Sequence, residues 1–213
     1  MIRSFHTIIA LFLFVSPAFG ADSAGSADSA ESAQSQTRKT FLPIGYLFTP
    51  LIADQKQPRF FISYRRYTYH NDTINAGTVG YGELFGLHRS IDTETGDGWQ
   101  VSLGGGLFAQ FDLDAHSRDL VNADYTVGLP IDIKKGASTW RISLYHQSSH
   151  LGDEFLLRTM PKRIELSYEA VNVVGSVNRG DWRFYGGGEG MVHKVPHDLR
   201  PLSVQAGIEY RSP

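Results

Sequence analysis

From Phe60 to Arg211 the chain runs in stretches of about ten to thirteen residues whose side chains alternate in character with period two. In Trp99–Phe111 the odd positions hold Trp99, Val101, Leu103, Gly105, Leu107, Ala109 and Phe111, and the even ones Gln100, Ser102, Gly104, Gly106, Phe108 and Gln110. In Val121–Ile133, Val121, Ala123, Tyr125, Val127, Leu129, Ile131 and Ile133 oppose Asn122, Asp124, Thr126, Gly128, Pro130 and Asp132. Trp140, Ile142, Leu144, His146 and Ser148 oppose Arg141, Ser143, Tyr145 and Gln147. Ile164, Leu166, Tyr168 and Ala170 oppose Arg163, Glu165, Ser167 and Glu169, and Leu202, Val204, Ala206, Ile208 and Tyr210 oppose Ser203, Gln205, Gly207, Glu209 and Arg211. Successive strand residues face opposite sides, so each run presents one apolar and one polar wall.

Two all-β architectures use such walls. A sandwich turns the apolar wall inward over strands of about five or six residues. A transmembrane barrel turns it outward into lipid, needs about nine to eleven residues per strand and carries aromatic girdles. The runs here have the longer length and open or close on Trp99, Phe111, Trp140, Tyr168, Trp182 and Tyr210. The pattern therefore predicts an antiparallel transmembrane β-barrel of about eight strands, at 60–69, 77–89, 98–111, 120–133, 139–149, 162–174, 182–193 and 202–211. Glu83 and Arg66 interrupt the first two apolar walls, and Gly104, Gly106 and Gly187 suit a crowded interior. The chain stops just after a final apolar-faced strand without a terminal aromatic, so either eight strands close on themselves or, the favoured expectation, a larger barrel is cut short.

The N-terminus supports export. Arg3, the apolar run Ile8–Val15, and Ala18 and Gly20 ahead of Ala21 read as a signal peptide over 1–20. Residues 21–40 place Ser at every third position from Ser23 to Ser35 with nothing large and apolar to bury, and so read as a flexible linker before a barrel domain over 41–213. A net charge of −2 leaves no footprint for nucleic acid, and the absence of Cys removes thiolate metal sites and thiol nucleophiles. The predicted location is the outer membrane of a Gram-negative-type bacterium, with outer-membrane lipids and lipopolysaccharide as partners.

Chemistry concentrates in Tyr145–Phe155. His146 and Ser148 fall on the apolar parity near an external strand end, where a polar pair conflicts with the pattern. Same-face neighbours two apart lie about 7 Å apart at Cα, close enough to bring imidazole to hydroxyl as base and nucleophile. Glu154 is the acidic candidate to orient the imidazole, with Asp153 and Asn172 as others. A headgroup-level strand end accounts for the same residues without catalysis. The spacing implies no metal site beyond a weak set of His146, His150 and Asp153; calcium on Asp112, Asp114, Asp119, Asp153 and Glu154 is a generic alternative, and no cofactor is expected. Arg141, Arg163, Glu165, Glu169, Arg183, Glu189 and Glu209, with Arg211, are expected to line the lumen, as a salt-bridge lattice or a selective channel.

The His-x-Ser pair on an outward wall resembles outer-membrane phospholipase A and the lipid A deacylases. In those families a His and a Ser two apart act as base and nucleophile, with an Asn or Glu as third member; the resemblance covers His146 and Ser148 alone. Over longer stretches, Phe108–Asp114, Asp119–Tyr125, Tyr145–Phe155 and Gly207–Ser212 resemble domain-of-unknown-function family 1207. That resemblance runs from about Leu42 to the end and implies an envelope β-barrel whose complete members are longer. It implies no reaction, ligand or catalytic residue. The leading expectation is an envelope component or passive channel, and the alternative a lipid or lipid A hydrolase.

Overall fold

Alternation, β-branched content and short turns produce what they predict: the chain is all-β, with nine antiparallel strands in one sheet and one short helix among the described residues. The computed structural model describes residues 36–69, 72–161 and 166–212. The strands are β1 (Thr37–Phe41), β2 (Phe61–Tyr69), β3 (Asp72–Asp92), β4 (Gly98–Asp112), β5 (Leu120–Lys135), β6 (Ser138–Leu151), β7 (Leu166–Arg179), β8 (Trp182–Val195) and β9 (Leu202–Tyr210). Helix α1 (Asp153–Thr159) lies between β6 and β7. From β3 to β9 each strand pairs with its sequence neighbour. Gly136 and Gly180 hold the positive φ of the two tightest turns, 55° and 56°. The stretch read as a signal peptide, most of the stretch read as a linker, Arg163 and Glu165 lie outside the described residues.

The first strand position differs from the expectation. Strand β1 begins within the stretch read as linker, and β1 and β2 lie end to end along one side of β3, against His88–Asp92 and Asp72–Gly80 respectively. Between them the chain leaves the sheet edge, and residues 42–60 cross the inward face. The crossing is close at both ends: a Cβ on Gly86 would meet the Pro43 carbonyl at 2.6 Å, and one on Gly82 the Pro58 side chain at 3.0 Å. Glycine at these two points lets the segment depart and return.

The walls are inverted relative to a soluble core. On β5, Val127, Leu129, Ile131 and Ile133 are exposed, whereas Asp132 between them is 1% exposed. Gln100, Ser102, Arg141, Arg183, Glu189 and Glu209 are also buried on the inward face. A sandwich would bury the opposite wall. Trp99, Trp140 and Trp182 are exposed on the outward face beside the three short turns, with Tyr210 packed on Trp182 at 4.9 Å, which forms an aromatic band at that rim. No helix among the described residues is long and apolar enough to cross a membrane.

The inward wall holds the crossing segment. Arg89, Arg141, Arg183 and Arg211 donate to the carbonyls of Gly45, Phe48, Thr49 and Pro50 at 2.7, 3.2, 2.7 and 2.9 Å. The Phe48 amide donates to Asp132 at 3.2 Å and the Ile52 amide to Glu209 at 2.6 Å. The Phe48 ring lies between the Arg141 and Arg183 guanidinium groups, 4.8 and 4.6 Å from their carbons. Lys56 pairs with Glu189 at 2.9 Å and donates to the Tyr145 hydroxyl at 2.7 Å. One segment contacts inward side chains from β4 through β9, and the sheet, with β9 paired to β8 and not to β1 or β2, does not close into a barrel. Arg141, Arg183, Glu189 and Glu209 thus face inward as expected, but they bind this segment rather than line an open channel.

Strand β7 corrects the parity assigned from sequence. Tyr168, Ala170 and Val174 are buried on the inward face, and Glu169 stands on the outward one, not in the lumen. Register fixes this, since Ala170 pairs with inward Tyr145 and Glu169 with outward His146. The apolar inward residues have a partner that alternation cannot reveal: Phe48 and Leu51 of the crossing segment form a small core with Val174.

Candidate active site on the outward face

Strand β6 places His146 and Ser148 on the outward face in line with Trp140, Ile142 and Leu144, as the alternation predicts. Across the ladder His146 opposes Glu169, and Ser148 opposes Ser167 on one side and Tyr125 on the other. The His146 Nδ1 lies 2.8 Å from Glu169 Oε1. The second carboxylate oxygen, Oε2, lies 2.9 Å from Nδ1 of His193 on β8. A bulge brings His193 there. Pairing passes from Ala170↔Met191 to Glu169↔His193, which leaves Val192 unpaired, and Val192 and His193 are both exposed. Without the extra residue one of the two would point inward; bulges re-aim side chains in this way.

The other proposed partners stand elsewhere. Glu154 and Asp153 occupy the exposed first turn of α1, and the imidazole that Glu154 was expected to orient is bonded to Glu169 instead. Asn172 faces inward, its amide 3.5 Å from Glu189. His150 packs edge-on against Tyr125 at 5.7 Å, and among the described residues no group of three or more His, Asp or Glu side chains is arranged to hold a metal ion. The loop carboxylates considered for calcium have protein partners: Arg158 of α1 bonds Asp119 and Asp112, each at 2.7 Å, and Asn75 bonds Asp114 at 2.7 and 2.8 Å.

This Arg158 tie joins α1 to the β4–β5 connection. The Ser117 hydroxyl and the Arg158 guanidinium hold the Asp119 carboxyl below the usual carboxylate range. A carboxylate depressed on folding contributes stability that is complete above its unfolded pKa of about 4 and is lost as pH falls through the folded value. Protection of the α1 amides from hydrogen exchange is therefore expected to hold from neutral pH to about 4 and to fall below it. Protection lost between about pH 7 and 5 would instead implicate a histidine.

With this geometry established, comparison with known proteins gives one match. A family model described as "Protein of unknown function (DUF1207)" covers residues 21–213, nearly the whole chain. The chain belongs to the DUF1207 family. No curated protein and no solved structure matches it.

What the DUF1207 chain presents is a hydroxyl, an imidazole and a carboxylate on adjacent outward positions of two paired strands. In a neutral imidazole whose Nδ1–H donates to a carboxylate, Nε2 is the nitrogen left to accept a proton. Below the site lie Leu144, Val127 and Val171, all exposed, so an acyl chain can lie along the wall beneath the hydroxyl. The sequence reading missed Glu169 and His193. Glu169 sits 23 positions from His146, and only strand register connects them; β7, apolar on both faces at Ala170, Val171, Val173 and Val174, offers an alternation whose more apolar side at Tyr168 and Ala170 is the inward one, so its parity misplaces Glu169.

Proposed function

We propose that the chain is an outer-membrane lipid hydrolase of serine type, with Ser148 as nucleophile, His146 as general base and Glu169 as the group that orients the imidazole. The observation that carries this reading is the His146–Glu169 bond on an outward, otherwise apolar wall, beside a serine two residues on. The third member that the His-x-Ser resemblance lacked in sequence is supplied from the neighbouring strand. The substrate class is an acyl ester of an outer-leaflet amphiphile, a phospholipid or lipopolysaccharide, reaching the site laterally. Outer-membrane barrels keep their longer connections outside, and the site lies toward the rim that carries residues 113–119, 152–161 and 196–201.

In the reaction Ser148 Oγ attacks the ester carbonyl as His146 Nε2 takes its proton, and Glu169 stabilises the imidazolium. Collapse of the tetrahedral intermediate expels the alcohol, which receives the proton from His146 and leaves an acyl-Ser148 ester. Water then attacks, its proton passes to His146, and the free fatty acid departs as Ser148 recovers its proton.

The passive-channel reading has less support, because residues 42–60 cover the polar wall that would conduct. The test is incubation of the purified full chain in vesicles of phosphatidylethanolamine and phosphatidylglycerol, with and without lipopolysaccharide, followed by mass spectrometry of free fatty acid. Release above protein-free vesicles is expected in at least one lipid. Intact lipids, with ion conductance across a planar bilayer, would replace the hydrolase by the channel.

A further inference from the structure

We infer that His193 is a positioning residue for this site, acting through Glu169 as a second Nδ1–H donor that fixes the plane of the carboxylate. The inference rests on the hydrolase reading for its catalytic consequence, but the bond it describes can be measured without activity. Glu169 is half-exposed and bonds His146 through Oε1 alone. A carboxylate held by one oxygen is free to rotate about its terminal torsion, which is broad and roughly two-fold, and each rotation turns the acceptor away from the His146 Nδ1–H. His193, 2.9 Å from Oε2, holds the other oxygen. With both oxygens occupied, one position of the carboxylate plane satisfies both imidazoles, and the His146 ring keeps a single orientation beside Ser148 on the same strand face.

The fold makes this arrangement specific. In an unbroken β8 ladder, period-two alternation would place neighbours Val192 and His193 on opposite faces. The bulge opposite Glu169 and Ala170 puts both outward, so the apolar wall continues through Val192 while His193 reaches the carboxylate. Bulges recur beside functional sites for this purpose. His193 is far more exposed than a core histidine, at 66%, and its bond to Glu169 ties β8 to the His146–Glu169 pair across β7.

The experiment compares wild type with His193→Ala and His193→Asn. An Asn side chain places an amide N–H close to the position of Nδ1 and preserves the donor without the ring. In detergent micelles, proton NMR follows the His146 Nδ1–H resonance, identified by its loss in His146→Ala. Solvent exchange of that proton is expected to be about tenfold faster in His193→Ala and near wild type in His193→Asn, and kcat for acyl release should fall by about tenfold in the Ala variant with KM unchanged, the scale of a misplaced catalytic group. An unchanged His146 resonance in His193→Ala, or an Asn variant as impaired as the Ala variant, overturns the inference. A wild-type chain that shows the resonance and its His193 dependence without hydrolysis would uphold the positioning and remove the hydrolase reading.

Discussion

Replacing Ser148 or His146 by Ala is expected to lower kcat for acyl-ester hydrolysis by about 10^4-fold or more, with the double replacement no worse than either alone. The two side chains carry one proton transfer between them. Without the hydroxyl there is no nucleophile to activate; without the imidazole the hydroxyl keeps its proton at neutral pH. Either loss leaves the same residual site, so the effects do not add. Glu169→Ala should lie between, at about 10^2- to 10^4-fold, because the base survives but loses its tautomeric bias and orientation. KM should change little in all four variants, since on this reading the apolar wall, not these side chains, would bind the lipid. Initial rates on vesicles of the preferred lipid provide the measurement. Losses that multiply in the double variant would show that Ser148 and His146 act independently and would break the pair.

Arg141→Ala is expected to destabilise the protein by about 3–5 kcal/mol, the cost of leaving a buried charge without its partner. Arg141 bonds both oxygens of Asp132, at 2.7 and 2.9 Å, and reaches the Phe48 carbonyl and the Gln57 side chain, each at 3.2 Å. One guanidinium therefore joins β5, β6 and two points of the crossing segment. Removing it strands Asp132, one of the most buried side chains of the sheet, with the Phe48 amide as its remaining bond to that segment. Urea unfolding from vesicles, followed by tryptophan fluorescence, measures the loss. The double variant Arg141→Met with Asp132→Leu should recover most of it, because an apolar pair of similar volume removes the stranded charge. A loss below about 1 kcal/mol in Arg141→Ala would mean that water reaches Asp132 and that residues 42–60 are not seated on the inward wall.

How far the sequence could be read follows from where alternation was unopposed. Strands β4, β5 and β6 were legible because one face of each carries nearly all the large apolar residues, and the outward positions of His146 and Ser148 came with them. Strand β7 was not, because the inward core of Phe48, Leu51 and Val174 makes apolar residues favourable on its polar side as well. The crossing segment has no period and no charge pattern; its order comes from arginines on strands distant in sequence. Glu83, which interrupts the apolar wall of β3, has its explanation in the same segment, since the Tyr46 hydroxyl donates to its carboxylate at the stretch of β3 that neither β1 nor β2 covers. The third member of the site required the β6–β7 register, and His193 required a bulge, neither of which is written in residue types along one strand.

If the outward Ser148 is an activated nucleophile, it will be captured covalently. The purified chain in micelles is treated with a lipophilic fluorophosphonate, which phosphonylates activated serines, and the modified residue is located by peptide mass spectrometry. One adduct is expected, on Ser148, and its formation should be strongly slowed in His146→Ala and Glu169→Ala. An unmodified Ser148, or labelling that proceeds equally fast without His146, would contradict that activation.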